Sequence, residues 1–106
     1  SRAIAFVALR EGADGPRMLG AVRLHADANH ESGEYAILVR SDLRGAGLGD
    51  ALMRLMIDWA GAEGIRRIEG TVLAENRAML AVCRRLGFQA RIDPDDPGLV
   101  KVERSV

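Results

Sequence analysis

The segment with the clearest chemistry is Arg40-Ser41-Asp42-Leu43-Arg44-Gly45-Ala46-Gly47-Leu48-Gly49. Three glycines at alternate positions let the backbone approach a ligand with no Cβ atoms in the way. A helix that starts here leaves about four N–H groups without intrahelical partners, and these donors, with the helix dipole, suit a phosphate or pyrophosphate. Arg44 adds a charge-assisted contact. Other phosphate loops fit worse. A P-loop closes on Gly-Lys-Ser/Thr, whereas this turn runs into Gly49-Asp50. A dinucleotide fingerprint ends on Gly or Ala, and here that position falls on Asp50 or Leu52, depending on the frame. The glycines alone also read as a flexible turn that caps a helix. The flanking elements and Arg44 favour the ligand reading.

Other groups are less specific. His25, Asp27, His30 and Glu31 offer two imidazoles and two carboxylates, but their spacing matches no structural zinc pattern, and no metal is expected. Cys83 sits among apolar residues and reads as a buried small hydrophobe. Asp93, Asp95 and Asp96 read as a solvated loop, with attraction of a basic substrate as the sharper alternative.

These residues need elements to hold them. Residues 4–9 and 18–24 are apolar runs separated by the turn-rich Glu11-Gly12-Ala13-Asp14-Gly15-Pro16, which predicts a hairpin with a longish loop. Residues 34–41 predict a strand with two largely apolar faces, hence a central one. From Gly47 to Glu63 the period changes, with Leu48, Leu52, Leu55 and Trp59 at helical spacing. Gly64 is placed to stop that helix in a left-handed conformation. A strand lies within residues 65–73. Asn76 is an N-cap candidate for a helix carrying Met79, Leu80, Cys83 and Leu86, stopped at Gly87. Residues 88–92 and 99–106 predict strands around a loop that Pro94 and Pro97 keep out of any ladder. The order β-β-β-α-β-α-β-β implies an α/β (α+β) fold with helices packed on a mixed sheet.

The chain has 106 residues, enough for one domain spanning 1–106. Fifteen basic residues balance fifteen acidic ones, which disfavours a nucleic-acid partner that needs clustered positive charge. A single cysteine excludes an internal disulfide and fits a reducing compartment. No apolar stretch approaches the roughly 18 residues of a membrane span, and the first residues lack signal-peptide architecture. The expectation is a soluble cytoplasmic domain with no membrane partner.

The chain resembles the GNAT acetyltransferase superfamily. That family's acyl-CoA signature, Arg/Gln-x-x-Gly-x-Gly/Ala between a central strand and a helix, is matched by Arg44, Gly47 and Gly49. An Asn that opens a later helix ending in Gly-Phe is matched by Asn76 and Gly87-Phe88. Arg23-Leu24-His25-Ala26-Asp27, Val39-Arg40-Ser41-Asp42-Leu43 and the stretch from Glu69 to Asn76 resemble the GNAT domain of bacterial protein lysine acetyltransferases. The resemblance implies a mostly antiparallel sheet flanked by helices, with acetyl-CoA as co-substrate. It also implies that the chain begins at the family's second strand, without the helices that shape the acceptor groove. A fusion to a larger chain, another partner or a homo-oligomer is then expected to supply that surface.

The resemblance further implies site roles. Arg44, Gly45, Ala46, Gly47, Leu48 and Gly49 would cradle the cofactor's phosphates, and Leu38, Val39 and Asn76 would bond its pantetheine arm. The backbone N–H near Leu38 or Val39 would stabilise the oxyanion. A lysine acceptor has a pKa near 10.4 and must lose a proton, so a base is needed. Glu34 is preferred over Glu31 because family members place a base where the central strand opens. Cys83 stands seven residues after Asn76, where many members carry Tyr, and would protonate the leaving sulfur. A protein lysine is the expected acceptor. A small-molecule amine, a non-catalytic acetyl-CoA sensor and a purely structural interaction domain are the alternatives.

Overall fold

The computed structural model describes residues 3–43 and 47–106. Its strands are β1 (Ala3–Gly12), β2 (Gly15–Ala26), β3 (Ser32–Val39), β4 (Arg67–Leu73), β5 (Gln89–Asp93) and β6 (Asp96–Ser105), and its α-helices are α1 (Leu48–Ala62) and α2 (Arg77–Arg85). They form one six-stranded sheet in the order β1-β2-β3-β4-β6-β5. Every neighbouring pair is antiparallel except β3–β4, which is parallel because the α1 crossover joins them. The element order and the mixed, mostly antiparallel sheet match the expectation from sequence.

Alternation along the strands decides where the core lies. Val22 and Leu24 of β2, Tyr35 of β3, Ile68 and Val72 of β4, and Val100 and Val102 of β6 bury one face of the sheet. Against it pack Leu52, Met53, Met56 and Ala60 from α1 and Met79, Leu80, Val82 and Cys83 from α2. The other face of β2 and β3 is bare, with Arg23, His25, Glu34 and Leu38 all exposed. β3 is central as expected, but because it has hydrogen-bonded neighbours on both sides, not because both faces are covered. Among the described residues no helix is long and apolar enough to cross a membrane.

Local chemistry corrects two expected loops. The first hairpin is tight: Gly12 pairs Gly15, whose φ of 101° only glycine adopts readily, and Pro16 lies inside the ladder opposite Glu11. The last hairpin closes on Asp93 and Asp96, so Pro97 belongs to β6, at a break in the register with β5. No ladder N–H is needed there, which removes the objection to proline. Gly64 and Gly87 stop the two helices as expected, with φ of 82° and 87°.

Candidate active site

The site is built where β3 and β4 part. Their pairing covers only Ser32↔Arg67, Gly33↔Ile68 and Glu34↔Glu69. The next row would set Tyr35 against Gly70, and a Cβ on Gly70 would lie 2.3 Å from the Tyr35 ring. Beyond that row the strands diverge. Arg40 N–H donates to Leu19 O at 3.0 Å and Asp27 N–H donates to Ser32 O at 2.8 Å. An antiparallel ladder alternates, so Ser32, Glu34, Ala36, Leu38 and Arg40 turn their main chain toward β2. Ile37 and Val39 therefore present N–H and C=O to the gap, where β4 has moved away. Leu38 reaches the gap's rim through its side chain, 62% exposed, while its N–H serves β2.

A cavity of about 340 Å³ opens here, walled by β3, the start of α1 and one side of α2. Gly47 caps α1 in the left-handed region with φ of 87°, and no side chain caps that end. The first helical bond runs from Ala51 N–H to Gly47 O, which leaves the N–H groups of Leu48, Gly49 and Asp50 ahead of it. Gly47 and Gly49 both line the cavity. Arg44, Gly45 and Ala46, expected to complete the phosphate cradle, lie outside the described residues. Just before them, Arg40 holds Asp42 through two bonds, Nε–Oδ1 at 3.0 Å and Nη2–Oδ2 at 2.7 Å.

Asn76 borders this cavity and caps α2, its Oδ1 accepting from Met79 N–H at 3.2 Å. Asn76→Ala is expected to lower stability by about 1 kcal/mol. Thermal melting should show a drop of roughly 4–8 °C, with the sheet intact.

Two further cavities continue the first. One of about 400 Å³ shares Ile37, Asn76 and Met79 with it and adds Glu34, Tyr35 and Thr71. The next, about 730 Å³, shares Glu34 and Thr71 and runs along β4, β6 and β5. Glu34 and Thr71 border both, so the three cavities adjoin along the β3–β4 gap. Across the strands Glu34 pairs His25 on one side and Glu69 on the other, and Glu69 pairs Glu103. Three carboxylates thus stand in one row, with Arg67 at 3.6 Å from Glu103 and 4.0 Å from Glu69. Asp93 and Asp95 border the same groove.

Two expected groups stand elsewhere. Glu31 lines none of these cavities; its N–H donates to Asp27 Oδ1 at 2.9 Å, and its carbonyl accepts from Arg66 and Arg67. This is a turn, and the Glu31 and Ser32 N–H groups that donate to the Asp27 carboxylate hold it below its ordinary range. Among the described residues no three His, Cys, Asp or Glu side chains converge as metal ligands. Cys83, expected to face the leaving sulfur, is instead turned into the core. It is 1% exposed, and its Sγ lies 3.4 Å from the Tyr35 hydroxyl. Burial pushes the thiol up, and pushes Tyr35 far above its usual value, so both stay protonated at neutral pH. The residue one turn earlier, Met79, lines the cavity instead. Tyr35, Thr71, Met79 and Arg85 also line these cavities, and none of them was expected as a site residue.

The fold and cleft define a class: a mixed sheet whose two parallel neighbours part after three rows, with a glycine-opened helix beside the gap. The chain belongs to the acetyltransferase (GNAT) family, whose model matches residues 2–88. It is 38% identical over 95 residues to an acetyltransferase of Pseudomonas aeruginosa, covering 90% of this chain and 51% of that protein. To the acetyltransferase Pat of Mycolicibacterium smegmatis it is 35% identical over 98 residues, covering 92% of this chain and 29% of Pat. The GNAT domain of S. lividans PAT superposes with a TM-score of 0.82 at 25% identity, over 99% of this chain and 61% of that one. The chain therefore spans about half the length of the first of these relatives, and less of Pat.

Proposed function

We propose that the chain carries an acetyl-CoA-dependent N-acetyltransferase site whose acceptor is a protein lysine side chain. The observation that carries this reading is the run of three adjoining cavities along the β3–β4 gap, two of them bordered by Glu34. These give a thioester and an amine neighbouring places, beside one carboxylate.

The residues suit acetyl-CoA. Ile37 and Val39 offer main-chain groups to an amide-bearing arm, much as an added strand would use them. The start of α1 offers unpaired N–H groups to phosphate. When bound, acetyl-CoA supplies a thioester that an amine can cleave. Glu34 takes the proton that the amine must lose. Val39 N–H bonds the carbonyl oxygen as it gains charge. With Cys83 in the core, the sulfur departs as thiolate; a thiol pKa near 8.5 makes that leaving group adequate without a side-chain acid.

The groove on the bare face supports a cationic acceptor, since Glu34, Glu69, Glu103, Asp93 and Asp95 outnumber Arg91 and Lys101 along it. Its length along three strands favours a side chain presented by a protein over a small enclosed amine. A cytoplasmic setting, where acetyl-CoA is made and thiols stay reduced, fits the lone cysteine.

Calorimetric titration of the chain with acetyl-CoA tests the binding half. Saturable binding that Arg44→Glu abolishes is expected. The transfer half is read by mass spectrometry of a lysine peptide and of a small polyamine offered together. Faster acetylation of the peptide is expected. Absence of acetyl-CoA binding by the folded chain would overturn the reading, and preference for the polyamine would replace the acceptor.

A further inference from the structure

Arg85 belongs to neither of the two sequence signatures, yet it opens onto the same cavity as Gly47 and Gly49, from the opposite wall. It stands in the last turn of α2, 35 residues from Asp50 in the first turn of α1, and its Nη2 lies 3.5 Å from Asp50 Oδ2. The other oxygen of Asp50 accepts from Arg54 Nε. One carboxylate thus sits between two guanidinium groups, of which Arg85 borders the cavity. Asp50 stays ionised, because Arg54 first and Arg85 second hold its carboxyl below the ordinary range. Arg85 gives one long bond to Asp50, and its side chain is 59% exposed. Its planar fork has five donors, and Asp50 engages one.

We propose that Arg85 is a second phosphate anchor for the co-substrate, closing over the nucleotide end of acetyl-CoA from α2 while the start of α1 holds it from below. This rests on the acetyl-CoA reading above. Asp50 keeps the guanidinium near the cavity without saturating it, so a phosphate can take the remaining donors in bidentate fashion.

The test is titration of the full chain with acetyl-CoA, with acetyl-dephospho-CoA and with S-acetylpantetheine, which carries no phosphate. Arg85→Met is expected to weaken acetyl-CoA roughly 10- to 100-fold. S-acetylpantetheine should bind Arg85→Met as it binds the unmodified chain. Arg85→Lys should recover part of the loss, since the charge returns without the fork. A loss that persists with acetyl-dephospho-CoA assigns the pyrophosphate as the partner; a loss confined to acetyl-CoA assigns the 3′-phosphate. Equal weakening of S-acetylpantetheine would mean that Arg85 only packs the cavity wall, and unchanged acetyl-CoA affinity would mean that it touches no phosphate. Either outcome overturns the proposal. Failure of the unmodified chain to bind acetyl-CoA is a different result and removes the underlying reading itself.

Discussion

Glu34→Gln is expected to lower kcat by roughly 100- to 10,000-fold, the range of a lost general base, with the affinity for acetyl-CoA unchanged. Glutamine keeps the shape and the strand pairing but takes no proton. The carboxylate borders both the middle cavity and the open-face groove. Glu31→Gln is the matched control. Glu31 serves a turn on the far side of the β3 start, through its main chain, and that substitution should leave turnover unaltered. Steady-state kinetics with a lysine peptide, beside acetyl-CoA titration of each variant, separates the cases. Full activity in Glu34→Gln would move the base elsewhere in the row, with His25, its neighbour across β2, the next to examine. If the unmodified chain binds acetyl-CoA and transfers nothing to any amine, the domain is a sensor and not an enzyme.

The second large effect is on stability. Gly70→Ala is expected to cost an amount at the upper end of about 1–3 kcal/mol, the range for overpacking a core. Thermal melting should fall by roughly 10–20 °C at that size. The added Cβ would meet three ring atoms of Tyr35, at 2.3, 2.7 and 2.8 Å. The ring has little room to yield. Tyr35 is 5% exposed, its hydroxyl is bonded to Cys83, and Phe88 packs edge-on with centroids 5.9 Å apart. The consequence reaches the site, because Tyr35 and Gly70 form the row at which β3 and β4 separate. In a double-mutant cycle, Gly70→Ala should cost much less when Tyr35 is already Ala, since contacting residues do not add. Full additivity would show that the backbone, not the ring, opposes the Cβ.

Arg44 and the glycine turn carry the binding expectations, and Gly47 illustrates why local sequence sufficed there. A strand period of two gives way to a helix period within ten residues, and glycine marks the junction. The same locality made Asn76 legible as a cap, since its partner, Met79 N–H, is three residues away. Gly64 and Gly87 were legible for the same reason. Pro97 escapes local rules because a proline is excluded from a regular ladder but not from a register break, and the break arises only when β5 meets β6.

What the sequence determined by itself, then, was the set of elements, their caps and the glycine-opened helix. All of these rest on contacts within a few residues, or on motifs contiguous in the chain. The tertiary structure alone decided which faces meet. Cys83 and Met79 lie one turn apart on the same stripe, yet in the packed fold Met79 borders the cavity and Cys83 meets Tyr35, 48 residues away. Arg85 and Asp50 likewise meet only because α2 ends beside the start of α1. The parallel pair stops after three rows, where one glycine of β4 lies against one tyrosine of β3, and only the folded sheet brings those two together. Periodicity places a side chain on a face; only packing fixes what that face touches.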